Sequence, residues 1–286
     1  MVLYFYVQTF TMKIYRPNNL QELLSFNQSV RRDGLSPYLA FFRGQINDWP
    51  IKPNITRNAH LTNIEILEKE KKFFKKYNEE TLGVKVLDHF DKDTTKYAQD
   101  WHNLFQAQHL GFYTRLTDWS QDFNNAMFFA TDDEQKKFID NDGVIYLYQC
   151  PYYGDQLINF QRPEDFSYFD KNPFELGKAY MVKHHSQFPD DFENYAGEIR
   201  RFRQNGSFII STSDEINKPI EEIQYINHYL TKIFLSPSIK AEIVEYLDQD
   251  FKEFIYFGSN EDNKQEVERI RKITFESNQN LFFGKR

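Results

Sequence analysis

The sequence predicts an α+β protein built as a single elaborated domain. Apolar runs typical of strands and apolar stripes typical of helices follow one another without the strict alternation of a doubly wound sheet. The 286 residues are long for one simple core and short for two full domains. The chain has no repeat period, low-complexity tract or long linker rich in Pro, Gly and Ser. We therefore expect a strand segment over residues 1–17 and one mixed domain over residues 18–286.

The first elements have the pattern of a helix followed by a strand. Asn19 and Glu22 have the spacing of a capping pair, and the leucine stripe that begins at Leu20 predicts a helix ending near residue 34. Residues 38–42 are an aromatic, apolar run, which predicts a strand. The tripeptide at 43–45 is then the polar tip of that strand.

Two further helices are expected before the centre of the chain. Thr62 and Glu65 match a capping box and precede an apolar stripe laced with Lys and Glu. Over residues 101–108, three apolar side chains and Gln108 recur at helical spacing. The Gln108 amide should therefore be partly buried and must find a hydrogen-bond partner.

The remainder of the chain mixes strands with short helices. Strands are predicted at residues 113–117, 143–150, 198–210, 229–235 and 251–257. Helical stripes occur at residues 123–130 and 266–273. Another helix should begin at Ser236 and Pro237, because Pro suits the first position of a helix.

Composition and charge narrow the classes of function. Aromatic residues make up 17% and charged residues 27% of the chain, which is typical of a folded globule. The net charge of −7 argues against attraction of the whole molecule to nucleic acid or anionic membrane, although a local basic groove stays open. Cys150 is the single cysteine, so no disulfide can form within the chain and we expect a cytoplasmic location. The pair His184 and His185 has no third ligand nearby in the sequence, so we expect no metal. The apolar stretch over residues 1–10 is too short to span a bilayer, so no membrane is expected.

Polar residues concentrate in two segments, while the common nucleotide, protease and hydrolase signatures are absent. In the first segment, Arg43 is followed by Gly44, which permits close backbone approach, and by the hydrogen-bonding Gln45. This combination suits a phosphate or carboxylate ligand. The alternative is that Arg43 pairs with Asp48 or Asp118 to stabilise the fold.

The second segment packs six polar side chains between apolar neighbours and ends at Trp119. They are Gln108, His109, Thr114, Arg115, Thr117 and Asp118. An isolated histidine such as His109 is more often a structural hydrogen-bond donor than a catalytic base, and both roles stay open.

Together these segments resemble the FRG domain, a family named for its Phe-Arg-Gly motif. The similarity lies in residues 42–45, 106–111, 114–119 and 126–130, and continues in 203–208 and 232–240. It implies an FRG-type domain with its core at about residues 20–275, in a bacterial protein linked to defence or toxin systems. Tyr113, where the family commonly has Pro, and Asn205 depart from the pattern.

The same residues also resemble the ADP-ribosyltransferase fold, which implies NAD as a substrate. On that resemblance Arg43 holds a phosphate or ribose edge, Thr117 positions the nicotinamide ribose, and Glu198 supplies the late carboxylate. We therefore predict catalytic roles for these three residues and for His109. The predicted substrate-binding residues are Gln45, Gln108, Thr114, Arg115, Asp118, Trp119, Arg203 and Gln204.

Two other hypotheses remain open from the sequence. The first is a non-enzymatic module that binds a nucleotide or nucleic acid through Arg43, Arg115 and the arginines at 200, 201 and 203, with Trp119 or Tyr113 as a stacking surface. The second is a structural or partner-binding protein, in which the polar cluster is a buried hydrogen-bond network. A protein target is compatible with each hypothesis.

Overall fold

A mixed sheet dominates the computed structural model, which describes residues 11–31, 38–56, 61–80, 97–109, 112–151, 157–159, 172–183, 206–247 and 251. Its strands are β1 (Lys13–Tyr15), β2 (Tyr38–Gln45), β3 (Leu116–Ser120), β4 (Gly143–Pro151), β5 (Leu157–Asn159), β6 (Tyr180–Lys183), β7 (Gly206–Ile210) and β8 (Leu230–Leu235). The helices are α1 (Leu20–Arg31), α2 (Asn63–Glu80), α3 (Ala98–His109), α4 (Phe123–Thr131), α5 (Gln224–Asn227) and α6 (Pro237–Tyr246). Single 3₁₀ turns lie at Asn54–Thr56 and Ile220–Glu222.

The strands form one eight-stranded sheet in the order β1-β8-β4-β2-β3-β7-β6-β5. Neighbouring strands are antiparallel in the interior, while the outer pairs β1–β8 and β5–β6 are parallel. Helices pack on this mixed sheet without regular βαβ alternation, so the predicted α+β class is confirmed. None of the helices in the described ranges is long and apolar enough to cross a membrane.

The sheet has a weak junction between its two halves. β2 pairs with β4 over eight residue pairs and β3 pairs with β7 over five, but β2 and β3 share the single pair Phe42–Ser120. Beyond that pair, towards Gly44 and Asp118, the ladder between β2 and β3 does not continue. We call this junction the seam.

The apolar cores follow the same division on the helical face of the sheet. One core lies under α1, α4 and α6 against β2, β4 and β8. A separate core lies under α2 and α3 against β3, β6 and β7. On the opposite face a single core crosses the seam and joins Phe41 and Tyr146 to Trp119 and Ile209. The helical face is therefore parted at the seam, and polar side chains lie where the two cores separate.

Helix α4 lies directly on the backbone of β2 and β4. A Cβ atom on Gly44 would overlap the carbonyl oxygen of Ala126 and lie 2.7 Å from the backbone nitrogen of Ala130. A Cβ atom on Gly143 would lie 2.6 Å from the carbonyl oxygen of Ala130. The close approach that Gly44 permits is thus the approach of the helix backbone at two small residues, Ala126 and Ala130.

Local capping predictions agree with the structure. The Asn19 side chain accepts from the backbone nitrogen of Glu22 at 2.9 Å, at the start of α1. The Glu65 carboxylate accepts from the backbone nitrogen of Thr62 at 2.8 Å, which confirms the capping box of α2. Helix α6 begins with Pro237 after the cap Ser236, as predicted.

β2 continues through Gln45, so the polar tripeptide is the end of this strand, as predicted. The start of the next strand differs from the prediction. β3 begins at Leu116 and not at residue 113, because side chains bind the preceding backbone N–H groups. The nitrogen of Arg115 donates to Glu70 and that of Leu116 donates to Thr114, so neither enters a ladder. The predictions for residues 1–10, 198–205, 252–257 and 266–273 lie outside the described residues.

Candidate functional site

Arg43 spans the seam. Its Nη1 donates to the backbone carbonyl of Asp118 at 2.6 Å, and its Nε lies 3.4 Å from Oε1 of Gln45. The Gln45 amide in turn donates to the carbonyl of Trp49 at 2.7 Å, which holds the chain that leaves β2. A half-buried cation therefore joins β2 to β3 where the ladder between them stops.

Asp118 is the single exposed residue of β3, whose other four residues are buried. Nε2 of Gln108 donates to both carboxylate oxygens at 3.0 Å. The hydroxyl of Thr114 donates to Oε1 of Gln108 at 2.5 Å and accepts from the backbone nitrogen of Leu116. Gln108 and Thr114 are both buried, so the orientation of an exposed carboxylate is fixed from inside the protein.

Asp118 and Arg43 lie on opposite faces of the sheet and meet at the seam. Asp118 alternates with Trp119 along β3, so its side chain is on the helical face together with Ser120. The Ser120 hydroxyl accepts from the backbone nitrogen of Asp122 and from Nδ2 of Asn125, at the start of α4. A polar strip therefore follows β3 between the two cores of the helical face.

Arg115 lies in the core and has no exposed surface. Its Nε forms an ion pair with Glu70 at 2.6 Å, and its two terminal nitrogens donate to the carbonyls of Ser211 and Pro173 at 3.1 and 2.8 Å. These contacts connect α2 with the segments next to β3, β6 and β7. Its complete burial and its contacts indicate that Arg115 stabilises the core.

Thr117 and Trp119 are also buried, on the face opposite Asp118. The Trp119 indole donates to the Thr117 hydroxyl at 3.1 Å, and that hydroxyl lies 3.4 Å from the carbonyl of Ile209. The structure thus separates these two side chains from the exposed carboxylate between them.

The side chains of four other predicted site residues lie outside the described part of the structure. His109 ends α3, and its side chain is outside the described part of the chain. Glu198, Arg203 and Gln204 lie outside the described residues, as do the arginines at 200 and 201. Among the described side chains, no group of three or more His, Cys, Asp and Glu is arranged to hold a metal ion.

The sequence model of one family, the FRG domain, matches residues 39–138. Over this range the chain matches the FRG domain family. The matched range begins in β2 and includes α2, α3, β3 and α4, which together supply Arg43, Gln108, Thr114 and Asp118. No curated protein and no solved structure matches the chain.

Each residue of the Phe-Arg-Gly motif has a different contact in this FRG domain. Phe42 forms the single β2–β3 pair and packs edge-on against Phe123 of α4, with ring centroids 5.0 Å apart. Arg43 reaches Asp118 across the seam, and Gly44 leaves room for the backbone of α4. The motif therefore determines how the two halves of the sheet and α4 meet.

Two residues that the sequence did not single out complete the network. Glu70, the partner of Arg115, belongs to a helix rich in Lys and Glu, a composition that is typical of a solvated helix face. Its position four residues after Ile66 and four before Phe74 places it on the apolar stripe of α2, and this spacing was the available signal. Asn125 lies on the buried side of α4, where the sequence showed only apolar neighbours.

Proposed function

We propose that the FRG domain of this chain binds a nucleotide at the seam, with NAD as the favoured ligand and Arg43 and Asp118 as its main contacts. The observation that supports this proposal is the exposed Asp118 carboxylate, whose orientation is set by the buried pair Gln108 and Thr114. An exposed aspartate that serves only solubility needs no buried hydrogen-bond chain behind it. The arrangement is typical of a contact residue held ready for a ligand.

The two side chains suit the two polar parts of a nucleotide. A carboxylate accepts hydrogen bonds from ribose hydroxyls, and a guanidinium binds phosphate. An ionised carboxylate has about four lone-pair positions, and the amide of Gln108 occupies one on each oxygen. The others are available to a ligand hydroxyl, since Asp118 is exposed.

The reaction we propose is cleavage of the bond between nicotinamide and ribose. Nicotinamide leaves with the electron pair of that bond, and the ribose C1′ takes on the positive character of an oxocarbenium ion. The Asp118 carboxylate stabilises this charge, as carboxylates do in glycoside hydrolysis. Water, or a hydroxyl or amine of a target, then bonds to C1′ and loses one proton. With water the products are ADP-ribose, nicotinamide and a proton.

Such a reaction has a direct consequence for the cell. An enzyme that consumes NAD in the cytoplasm depletes a cofactor of its own cell, which is the effect of a toxin or a defence effector. Expression of the wild-type chain should therefore slow bacterial growth and lower cellular NAD, and Asp118→Asn should abolish both effects. Slow growth without loss of NAD would exclude NAD as the substrate.

The test is NAD binding by calorimetry together with nicotinamide release, for wild type, Asp118→Asn and Asp214→Asn. Asp214 is an exposed carboxylate in the turn after β7, which makes it the matched control. We expect wild type and Asp214→Asn to bind and cleave NAD, and a folded Asp118→Asn to cleave at least 100-fold more slowly, in line with the loss of one transition-state contact. If no variant releases nicotinamide but wild type binds NAD, the domain is a nucleotide-binding module. Absence of both binding and release leaves the network with a structural role alone.

A further inference from the structure

A row of three side chains crosses the sheet on the face opposite Asp118. Arg43 on β2 is directly opposite Tyr146 on β4, and Tyr146 is directly opposite Lys232 on β8. Directly opposed residues of antiparallel strands project to the same side of a sheet, about 5 Å apart. The ammonium of Lys232 lies 5.6 Å from the centre of the Tyr146 ring. The row therefore continues from Arg43, at the seam, towards β8.

The hydroxyl at the centre of the row has no partner among the described residues. Tyr146 is fully buried, and its hydroxyl has no hydrogen bond to any of the described residues. Burial, together with the charges of Glu221 and Asp48, raises the pKa of this phenol, so it stays protonated and can donate. Buried hydroxyls nearly always have a partner, so this one requires a group that the described residues do not supply.

The row lies beneath a segment that side chains hold in place. Asp48 forms an ion pair with Lys232 at 2.5 Å, and Glu221 accepts from the backbone nitrogen of Ile51 at 3.0 and 3.2 Å. Residues 48–51 are thus held at both ends next to the row. Glu221 also acts electrostatically on both Tyr146 and Lys232, so a carboxylate lies near this row.

The balance of these groups indicates the kind of ligand atom that fits. Arg43 and Lys232 carry two positive charges, and the carboxylates of Asp48 and Glu221 offset them. These four groups therefore leave no net charge that would attract another anion besides the phosphate proposed to bind Arg43. A donor hydroxyl on one side and a carboxylate on the other suit a group that accepts one hydrogen bond and donates another. A sugar hydroxyl does both.

We propose that Tyr146 is a further binding residue, which donates its hydroxyl hydrogen to a ribose hydroxyl of the nucleotide bound at the seam. This inference rests on the proposed function and assigns it a subsite. The ligand would extend from Asp118, past Arg43, to the row on the opposite face. A buried structural water is the alternative partner for Tyr146, and the two partners predict different behaviour when the hydroxyl is removed.

The experiment compares Tyr146→Phe with Tyr148→Phe, using ADP-ribose as the probe in calorimetry and thermal unfolding. Tyr148 is the matched control, because it is a buried tyrosine on the same strand and face, whose hydroxyl interacts with Cys150. We expect Tyr146→Phe to be at least as stable as wild type without ligand and to bind ADP-ribose about threefold to tenfold more weakly. Tyr148→Phe should lose stability and keep the wild-type affinity.

The other results distinguish a failure of this inference from a failure of the proposed function. Equal affinity of Tyr146→Phe and wild type removes the subsite and leaves the proposed function intact. A loss of stability of Tyr146→Phe without ligand identifies a structural water as the partner. Failure of wild type to bind ADP-ribose or NAD removes both proposals together. If Tyr146→Phe weakens binding but Asp118→Asn does not, the subsite stands and the proposed role of Asp118 falls.

Discussion

Replacement of Arg115 with Met tests whether this buried arginine stabilises the core. The Arg115 guanidinium donates to the Glu70 carboxylate and to the carbonyls of Ser211 and Pro173, and the side chains of both ion-pair partners are 0% exposed. The variant leaves the Glu70 carboxylate buried, with the backbone nitrogen of residue 115 as its one described donor. Breaking a buried pair from one side costs about 3–5 kcal/mol.

That loss is a large part of the total stability of an ordinary domain, which is about 5–15 kcal/mol. Urea denaturation followed by circular dichroism should show it as a lower midpoint with an unchanged slope. The double variant Arg115→Met with Glu70→Met should recover much of the stability, because apolar residues replace a buried pair with little net effect. A single-variant loss below about 1 kcal/mol would refute the assignment. Arg43→Met, which removes a half-exposed side chain, is expected to lose only about 1 kcal/mol.

Three further predictions concern packing, a thiol and pH. Gly44→Ala should destabilise the fold by at least about 2 kcal/mol in urea denaturation, because backbone atoms of Ala126 cannot move aside. Gly177→Ala, with no atom within 4 Å of its Cβ, should not destabilise the fold. Equal effects of the two substitutions would refute the close contact. Cys150 is buried and its pKa is raised to about 12, so a thiol reagent should react only after unfolding; rapid reaction of folded protein would contradict the burial. Burial raises the pKa of the Glu221 carboxyl group above 4.5 in the folded protein. The protonated group therefore contributes to the free energy of unfolding at low pH, and this contribution is lost as the pH rises through the pKa of the folded state. Glu221→Gln should remove this pH-dependent loss of stability. Identical pH profiles of the unfolding free energy for wild type and Glu221→Gln would contradict the prediction.

The sequence predicted well what depends on neighbouring residues. The caps of α1, α2 and α6 follow from side chains within four residues of each helix start. The burial of Gln108 follows from its position on the apolar stripe of α3. Each of these features is determined within one or two helical turns, so spacing alone indicates it.

The spacing of neighbouring residues does not indicate which distant segments of the chain contact each other. Arg115 and Arg43 both precede short polar stretches, but one meets a carboxylate 45 residues earlier and the other a carbonyl 75 residues later. Residue type does not show which of them is buried. The start of β3 was placed three residues early for a similar reason, because Glu70 and Thr114 bind the N–H groups that a strand would use.

The seam itself has no local signature. It exists because β2 and β3 each form a long ladder with another strand and only one pair with each other. The Gly44 contact with α4 and the exposed Asp118 both lie at this junction. The sequence could indicate that residues 43–45 and 108–119 belong together, but the division of the sheet between them required the structure.

The most direct test of the proposed site is a crystal structure of the protein grown with ADP-ribose. We expect ligand density at the seam, with a phosphate oxygen within hydrogen-bond distance of the Arg43 guanidinium and a ribose hydroxyl within hydrogen-bond distance of the Asp118 carboxylate. Density elsewhere on the protein, or an unchanged seam in crystals grown at a concentration that saturates binding in solution, would contradict the proposal.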